Sequence, residues 1–413
     1  MNQAQERMLS LLSYAPPRSG GDSENSARSA WKEKDWEAAA NEARRHGLGP
    51  LLFYRMKLRQ PGITIPPRIA GVLRNEYLLN AASNMRRIRA LTPSLEALQA
   101  AGVPTIVLKG AYLAEAVYGN PALRTMVDVD LLVHREDLKS ADAALAGAGF
   151  SALEFPVSPP EDENEFHYRN GTGTAMIEVH WEMTKPEYPF RLDVDLLWKQ
   201  AIPTRIAGVD VLALSPEDLI LHIGLHAAIH RFAHGLRPLC DLAEALSRLS
   251  VNWDILWIRA RNAGIGRSVR LLLTLAVDLL GMTIPAHALE GIDSSPLPAE
   301  IREEATETVF LGKPKQSGAA MPHPNLVLFV GRKRWRDKFA LAARRIFPTR
   351  QSIAARYAVR ADSQRAFLYY PASFWVLFKR NAPALRALFF GNKQNPLIDK
   401  KAAALMDWVL TRE

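Results

Sequence analysis

Two spacings of apolar residues divide this chain: a three-to-four-residue period over long stretches and a two-residue period over short ones. The helical period dominates the first hundred residues. Residues 1–15 read as a short helix, and Pro16 to Ala27 as a Ser/Gly/Pro-rich loop. Trp31 to Arg45 reads as an amphipathic helix stopped by Gly47-Leu48-Gly49-Pro50. Leu51 to Leu58 and Pro66 to Ala100 continue the pattern, with a kink or interruption expected at Pro93. Asn84, Arg86, Arg87 and Arg89 on the long helix are read as a solvated face, with a substrate-facing role as the alternative.

The shorter period takes over at Thr105. Thr105 to Leu108 is β-branched and apolar, as a buried strand would be. Lys109-Gly110 closes it, a helical pattern runs from Tyr112 to Tyr118, and Gly119-Asn120-Pro121 breaks that helix. Met126 to Val133 alternates and then turns wholly apolar. Period two puts Asp128 and Asp130 on one face, with Val127, Val129 and Leu131 on the other. Arg135-Glu136-Asp137-Leu138 opens a helix to about Ala148, which Gly149 ends. Phe150 to Phe155 is a further strand candidate, and Pro156 to Asn164 a Pro- and acid-rich loop. Glu165 to Arg169 and Thr174 to Glu182 read as strands joined by a hairpin turn at Asn170 to Gly173. Alternation on the second places Glu178, His180 and Glu182 on one face.

From residue 215 to 310 the pattern is helical again. Ser215-Pro216-Glu217-Asp218 is a strong helix start. His222, His226, His230 and His234 follow at steps of four. On one helix each step advances about 40°, so the four would span roughly 120°. Packing against the core, with His226 and His230 facing a cleft, is the favoured reading, and a structural metal the alternative. No neighbouring Cys or H-E-x-x-H supports the metal. Asp241 is read as a structural salt bridge or cap. Residues 311–413 form a tail with a loop over Lys313 to Pro324 and a helix over Leu326 to Ile346.

The overall charge is +9. Between Gly331 and Lys400 stand sixteen Lys/Arg against three Asp, so the basic character is local. Ala366 to Phe378 is an uncharged aromatic run flanked by Arg365 and Lys379-Arg380. Three readings stay open for it: a core helix, an interfacial segment meeting anionic lipid through residues 331–393, or a basic surface for RNA or an anionic substrate. No apolar run approaches the ~20 residues needed to span a bilayer. The N-terminus has no cleavable apolar core, so no signal peptide is expected. A single cysteine, Cys240, excludes internal disulfides and multi-Cys zinc sites, and a cytoplasmic setting is expected, with peripheral contact at the inner membrane left open.

The paired acids are the sharpest chemical signal. An isolated D-x-D can line a solvated edge strand. Here the strand becomes apolar at once at Leu131-Leu132-Val133, which implies burial on both faces. Two carboxylates there repel each other and require a cation, and oxygen-only ligands suit Mg²⁺.

The ordered set Lys109-Gly110, Tyr118, Arg124, Asp128 and Asp130, followed by Glu178 and His180, resembles the uncharacterised bacterial nucleotidyltransferase family of the polymerase-β-like superfamily. The resemblance covers about residues 36 to 245 well. It departs from the superfamily in having Lys-Gly at the turn, and in placing Asp128 eighteen positions after Gly110. It implies an α/β (α+β) polymerase-β-like core with a small mixed sheet, flanked by helical regions. The expected divisions are a helical N-terminal region 1–100, the core 101–214, a helical domain 215–310 and the basic tail 311–413. The implied metal ligands are Asp128, Asp130 and Glu178, holding two Mg²⁺. The implied nucleotide contacts are Lys109, Gly110, Arg124 and His180, with an NTP, ATP foremost, as donor. Arg124 is either a phosphate clamp or a salt-bridge partner of the acids. His180 is either a contact of the site or a supporting histidine, and Glu182 a rim charge. The acceptor is unnamed: a small molecule, a peptide or protein, or, less favoured, RNA. Members of such a family occur in biosynthetic clusters, including those for modified peptides. A degenerate protein that binds nucleotide or peptide without turnover, or a membrane-surface scaffold, is the alternative.

Overall fold

A computed structural model describes residues 1–15, 30–58, 64–153, 163–186, 188–290, 297–311, 350, 353, 364–375 and 400–411. Helix α1 (Gln3–Leu12) opens on a capping box in which Asn2 and Gln5 each accept the other's backbone N–H. Helix α2 (Glu33–Arg45) buries Trp36, Ala39, Ala40 and Ala43 along one stripe. Gly47, at φ 72°, lets the chain turn directly into α3 (Gly49–Leu58).

Helix α4 (Pro67–Ala100) runs unbroken through Pro93, against the expected interruption. Leu91, Ser94, Leu95 and Leu98 are buried on both sides of the proline. Packing of the two halves therefore outweighs the one backbone bond the proline removes. The reading of a solvated face on this helix also needs correction. Arg86 and Arg89 are exposed, but Asn84 is fully buried. Its side-chain amide donates to the carbonyls of Pro121 (2.6 Å) and Arg124 (2.8 Å). Asn80 donates to those of Ala122 and Arg124, and Arg87 to that of Val127.

A seven-stranded mixed sheet follows, in the order β3-β4-β5-β2-β1-β7-β6. Its strands are β1 (Ile106–Val107), β2 (Val129–Leu132), β3 (Phe150–Ala152), β4 (Glu165–Asn170), β5 (Met176–His180), β6 (Ile202–Ile206) and β7 (Val209–Ala213). The β2–β5 and β1–β7 pairs are parallel and the others antiparallel. Between β1 and β2 lies α5, an α-helical turn (Lys109–Tyr112) that widens into a π-helix (Leu113–Val117). It begins at Lys109, where a turn was expected. Helix α6 (Leu138–Gly147) enters through a 3₁₀ turn at Arg135–Asp137, and α7 (Val194–Gln200) precedes β6.

Strand β2 is shorter than the alternation suggested. Residues 121–127 are gripped by the α4 side chains rather than by a neighbouring strand, so pairing starts at Val129. Asp128 stands at the strand's mouth and Asp130 within it, buried on both faces as the apolar run implied. The β6–β7 hairpin had no counterpart in the sequence reading. It turns at Ala207-Gly208, both with positive φ, in the two-residue manner that twisted hairpins favour.

The second half is helical, as expected to residue 310: α8 (Pro216–Ile229), α9 (Arg237–Arg248), α10 (Trp253–Ala263), α11 (Gly266–Leu280), α12 (Ala286–Glu290) and α13 (Ala299–Leu311). A last described helix is α14 (Lys400–Leu410). Ser215 caps α8 by accepting from the Asp218 N–H. This helix does not carry all four histidines. It ends at Ile229, with His230 at the cap, and Phe232 and Arg231 donate their N–H groups back to Ala227 (2.8 Å) and Ala228 (2.9 Å). Those bonds form a Schellman closure, with Arg231 where glycine is usual.

Buried side chains form a continuous cluster from Met8 to Val409. The expected loops over 16–27 and 313–324, the helix over 326–346, and most of the loop over 156–164 and of the basic stretch 331–400 lie outside the described residues. Within the aromatic run, Phe367, Leu368, Phe374 and Trp375 are exposed, so these side chains are not core. Among the described residues no helix is long and apolar enough to cross a membrane.

Candidate active site

The strand register assembles the acidic site. Asp130 on β2 pairs with Glu178 on β5, and Glu178 pairs with His167 on β4. One step along, Leu132, His180 and Glu165 form the next rung. Facing residues share a side of the sheet, so an acid, an acid and a histidine stand in a row beside a second histidine and a third acid. His180 Nε2 lies 3.4 Å from Asp130 Oδ1 and 3.9 Å from Glu178 Oε2, while its Nδ1 is 3.0 Å from Glu165 Oε2. His167 Nε2 is 3.6 Å from Glu178 Oε1. Glu165 and His167 are the members that sequence reading did not assign. Their signal was the alternation of β4, which needed the register to acquire meaning.

Lys109 enters from the first turn of α5 and places Nζ 3.1 Å from Asp130 Oδ1. Gly110 follows it. A Cβ built there would lie 3.2 Å from the Asp128 carbonyl oxygen and 3.5 Å from Asp130 Oδ2. The absence of a side chain at Gly110 therefore keeps the approach to the acids open.

The Arg124 guanidinium is bonded to a carboxylate outside the expected metal set. Its Nε and Nη2 each donate at 2.9 Å to the two carboxylate oxygens of Asp241 on α9, and Nη1 lies 3.4 Å from the Gly110 carbonyl oxygen. Tyr118 donates its hydroxyl to the same Asp241 at 3.0 Å. The geometry gives Arg124 a salt bridge with Asp241 instead of Asp128 or Asp130, and Arg124 also lines the cavity that a phosphate clamp would face. Glu182 lies beyond the end of β5 and is exposed.

The electrostatics are uneven across the cluster. Burial pushes the Asp130 carboxyl up, but the Lys109 ammonium and His180 outweigh it and hold the group well below the carboxylate range. Burial raises Asp128, and the Asp130 charge adds to the rise. Glu178 is pushed up to about 8 by burial and by the charges of Asp130 and Asp128. Burial disfavours protonation of His180, yet its contacts with Asp130 and Glu165 raise it overall. Without a cation beyond Lys109, the three acids do not all ionise near neutral pH.

The residues fit a hard divalent cation. Asp130 Oδ2 is buried with no hydrogen-bond partner. Ligand atoms of Asp130, Glu178 and His180 lie within 4.8 Å of one another, and Asp128 borders the same cavity. That cavity, about 690 Å³, is lined by Lys109, Asp128, Asp130, Glu178 and Arg237, and by His222, His226, His230 and His234. Burial, with the nearby Lys109 charge, lowers His222 to about 3 and His226 well below the usual histidine value. Both are therefore neutral.

Comparison with known proteins adds three findings. The family model described as "Uncharacterised nucleotidyltransferase" matches residues 32–281. No curated protein matches. Among solved structures, the chain is similar to the antibiotic-resistance factor ANT(2'')-Ia, at 15% identity over 46% of this chain and 91% of that one, with a TM-score of 0.32. It is also similar to an antigenic nucleotidyltransferase-like protein from Paracoccidioides brasiliensis, at 17% identity over 50% and 94% of the two chains, again with a TM-score of 0.32.

Proposed function

The chain belongs to the uncharacterised nucleotidyltransferase family, and from that premise we propose that it moves an NMP from an NTP, ATP foremost, to a nucleophile on an acceptor, with Mg²⁺ held by Asp128, Asp130 and Glu178. The observation that carries this reading is the in-register pair Asp130–Glu178, with Asp130 Oδ2 buried and without a partner. When bound, Mg²⁺ supplies charge neutralisation for the polyphosphate and acidifies the attacking hydroxyl.

The rest falls to the chain itself. Lys109 keeps Asp130 ionised and offers an ammonium to a phosphate oxygen at the cavity floor. His180, braced by Glu165, orients the Asp130 and Glu178 carboxylates. Arg124, tied to Asp241, anchors the segment leading into Asp128. In the transfer, a bond forms between the acceptor atom and the α-phosphorus, and the bond to the leaving pyrophosphate breaks. The cavity is large enough for a nucleotide and part of an acceptor. The acceptor classes this reading admits are a small molecule, a peptide or a protein, with RNA less favoured.

The test is calorimetric binding of each of the four NTPs with Mg²⁺ and with EDTA, on wild type and on Asp128→Ala/Asp130→Ala. Mg²⁺-dependent binding that the double variant loses supports the reading. Absence of Mg²⁺-dependent binding in the wild type overturns it. Binding without pyrophosphate release in the presence of candidate acceptors would favour the non-turnover alternative.

A further inference from the structure

The same cavity carries a second cluster of a different chemistry. His226 projects from the last turn of α8, His230 caps that helix, and His234 returns after the closure. Their ring centroids lie 4.4 Å (His226–His230), 4.8 Å (His226–His234) and 4.0 Å (His230–His234) apart. One ring nitrogen from each falls within 4.8 Å of the other two. On a continuous helix the third ring would have been carried onward around the axis. Here Arg231 (φ 54°) and Phe232 (φ 58°) are consecutive left-handed residues, and they fold His234 back onto its predecessors. Neither is glycine, and such a conformation costs of order 1–2 kcal/mol per residue. The sequence thus tolerates backbone strain at the point where the three imidazoles are gathered, and strain of this kind concentrates at binding and catalytic sites.

We propose that His226, His230 and His234 bind a borderline d-block divalent cation, Zn²⁺ foremost, at a site separate from the carboxylates. The donor set is all imidazole, which suits zinc and its neighbours and does not suit Mg²⁺. Zinc–nitrogen bonds of about 2.0–2.1 Å in a tetrahedral site set the ligand nitrogens roughly 3.4 Å apart. Three protein ligands leave a fourth position in a tetrahedral site, and the three histidines line the cavity that also holds Asp130 and Glu178. The cleft thereby offers oxygen donors for a hard cation and nitrogen donors for a softer one. This inference stands independently of the transfer reaction.

The test uses the full chain and keeps the two sites apart. Asp130→Asn takes one carboxylate out of the Asp130–Glu178–His180 cluster and so weakens that cluster as a competing zinc site. Zn²⁺ binding is then measured by calorimetry and by metal content after dialysis, in Asp130→Asn and in Asp130→Asn combined with His230→Gln/His234→Gln. About one Zn²⁺ per chain is expected in the first, and a loss of affinity of roughly 100-fold or more in the second. Equal zinc binding in the two proteins overturns the proposal. X-ray absorption on zinc-loaded Asp130→Asn needs no change in the cluster, so it decides the matter even if the histidine variants misfold. A shell containing three imidazoles supports the site, and an oxygen-dominated shell overturns it. Phosphate binding that depends on the cluster, with no zinc bound by Asp130→Asn, would also overturn it, in favour of an anion site.

Discussion

Arg124 and Asp241 meet in a bidentate pair, both contacts 2.9 Å, in the buried seam between the loop that leads to β2 and helix α9. The pair fixes the loop that carries Asp128 to the helical half. Removing one partner leaves the other charge buried, which costs about 3–5 kcal/mol. Asp241→Ala and Arg124→Ala should each lower the unfolding free energy by that amount, seen as a lower denaturation midpoint at unchanged slope. The double variant Arg124→Met/Asp241→Leu should be less destabilised than either single one. Chemical denaturation of the three proteins checks this; additive losses would show that the two residues act independently.

Asn84 holds the other side of the same loop. Asn84→Ala leaves the carbonyls of Pro121 and Arg124 without that donor in a buried place, at about 1–3 kcal/mol. The expected signature is a moderate drop in melting temperature together with weaker NTP binding, because Asp128 lies four residues beyond Arg124. Calorimetry on the folded variant separates the two effects.

Glu178 sets a pH dependence with a definite sign. Its folded-state pKa of about 8 lies above the ordinary value of 4.5, so the folded protein retains a proton that the unfolded chain releases. The contribution to stability is fully present below about pH 4.5 and is lost as pH rises through about 8. Thermal melts in EDTA should therefore fall across that window, and Glu178→Gln should flatten the fall. Saturating Mg²⁺ should flatten it as well, since the cation displaces the proton. A slope unchanged by Glu178→Gln would assign the titration to another group.

Gly110 is the residue whose replacement should separate site from fold. A methyl group there presses on the Asp128 carbonyl at 3.2 Å and stands 3.5 Å from Asp130 Oδ2. Gly110→Ala should weaken Mg²⁺-dependent nucleotide binding at least tenfold, with a stability change of about 1 kcal/mol or less. Gly235→Ala is the contrasting case. Its φ of 73° and a Cβ position 2.4 Å from His46 Nδ1 predict a destabilised protein through the fold itself.

The sequence was most readable where a local period decided the structure. The α2 stripe, the Ser215 cap, the β4–β5 hairpin and the apolar end of β2 all follow from spacing within a few residues. It misled where a distant partner decided. Pro93 sits in an unbroken helix because residues on both sides are buried, and Asn84 points inward because a loop nearly forty positions away offers carbonyls. For the site, Asp130 and Glu178 were visible as alternating acids. Glu165, His167 and the Lys109–Asp130 contact needed the strand register. Arg124 had no near clue to Asp241, which lies more than a hundred residues on. The spacing of four histidines suggested one helix, and two left-handed residues of unexceptional type ended it early.

Strand β1 is two residues long, and its backbone is held on one side by β2 and on the other by β7. Lys109 follows one residue after it, beyond Leu108, so the place of its side chain depends on strands drawn from across a hundred residues of chain. On the ribosome, at about 5–20 residues per second, β7 emerges several seconds after β1, and Asp241 emerges later still. Until then β1 lacks one of its two neighbours and Arg124 lacks its carboxylate partner. The native setting of Arg124 is thus complete only once helix α9 has been made.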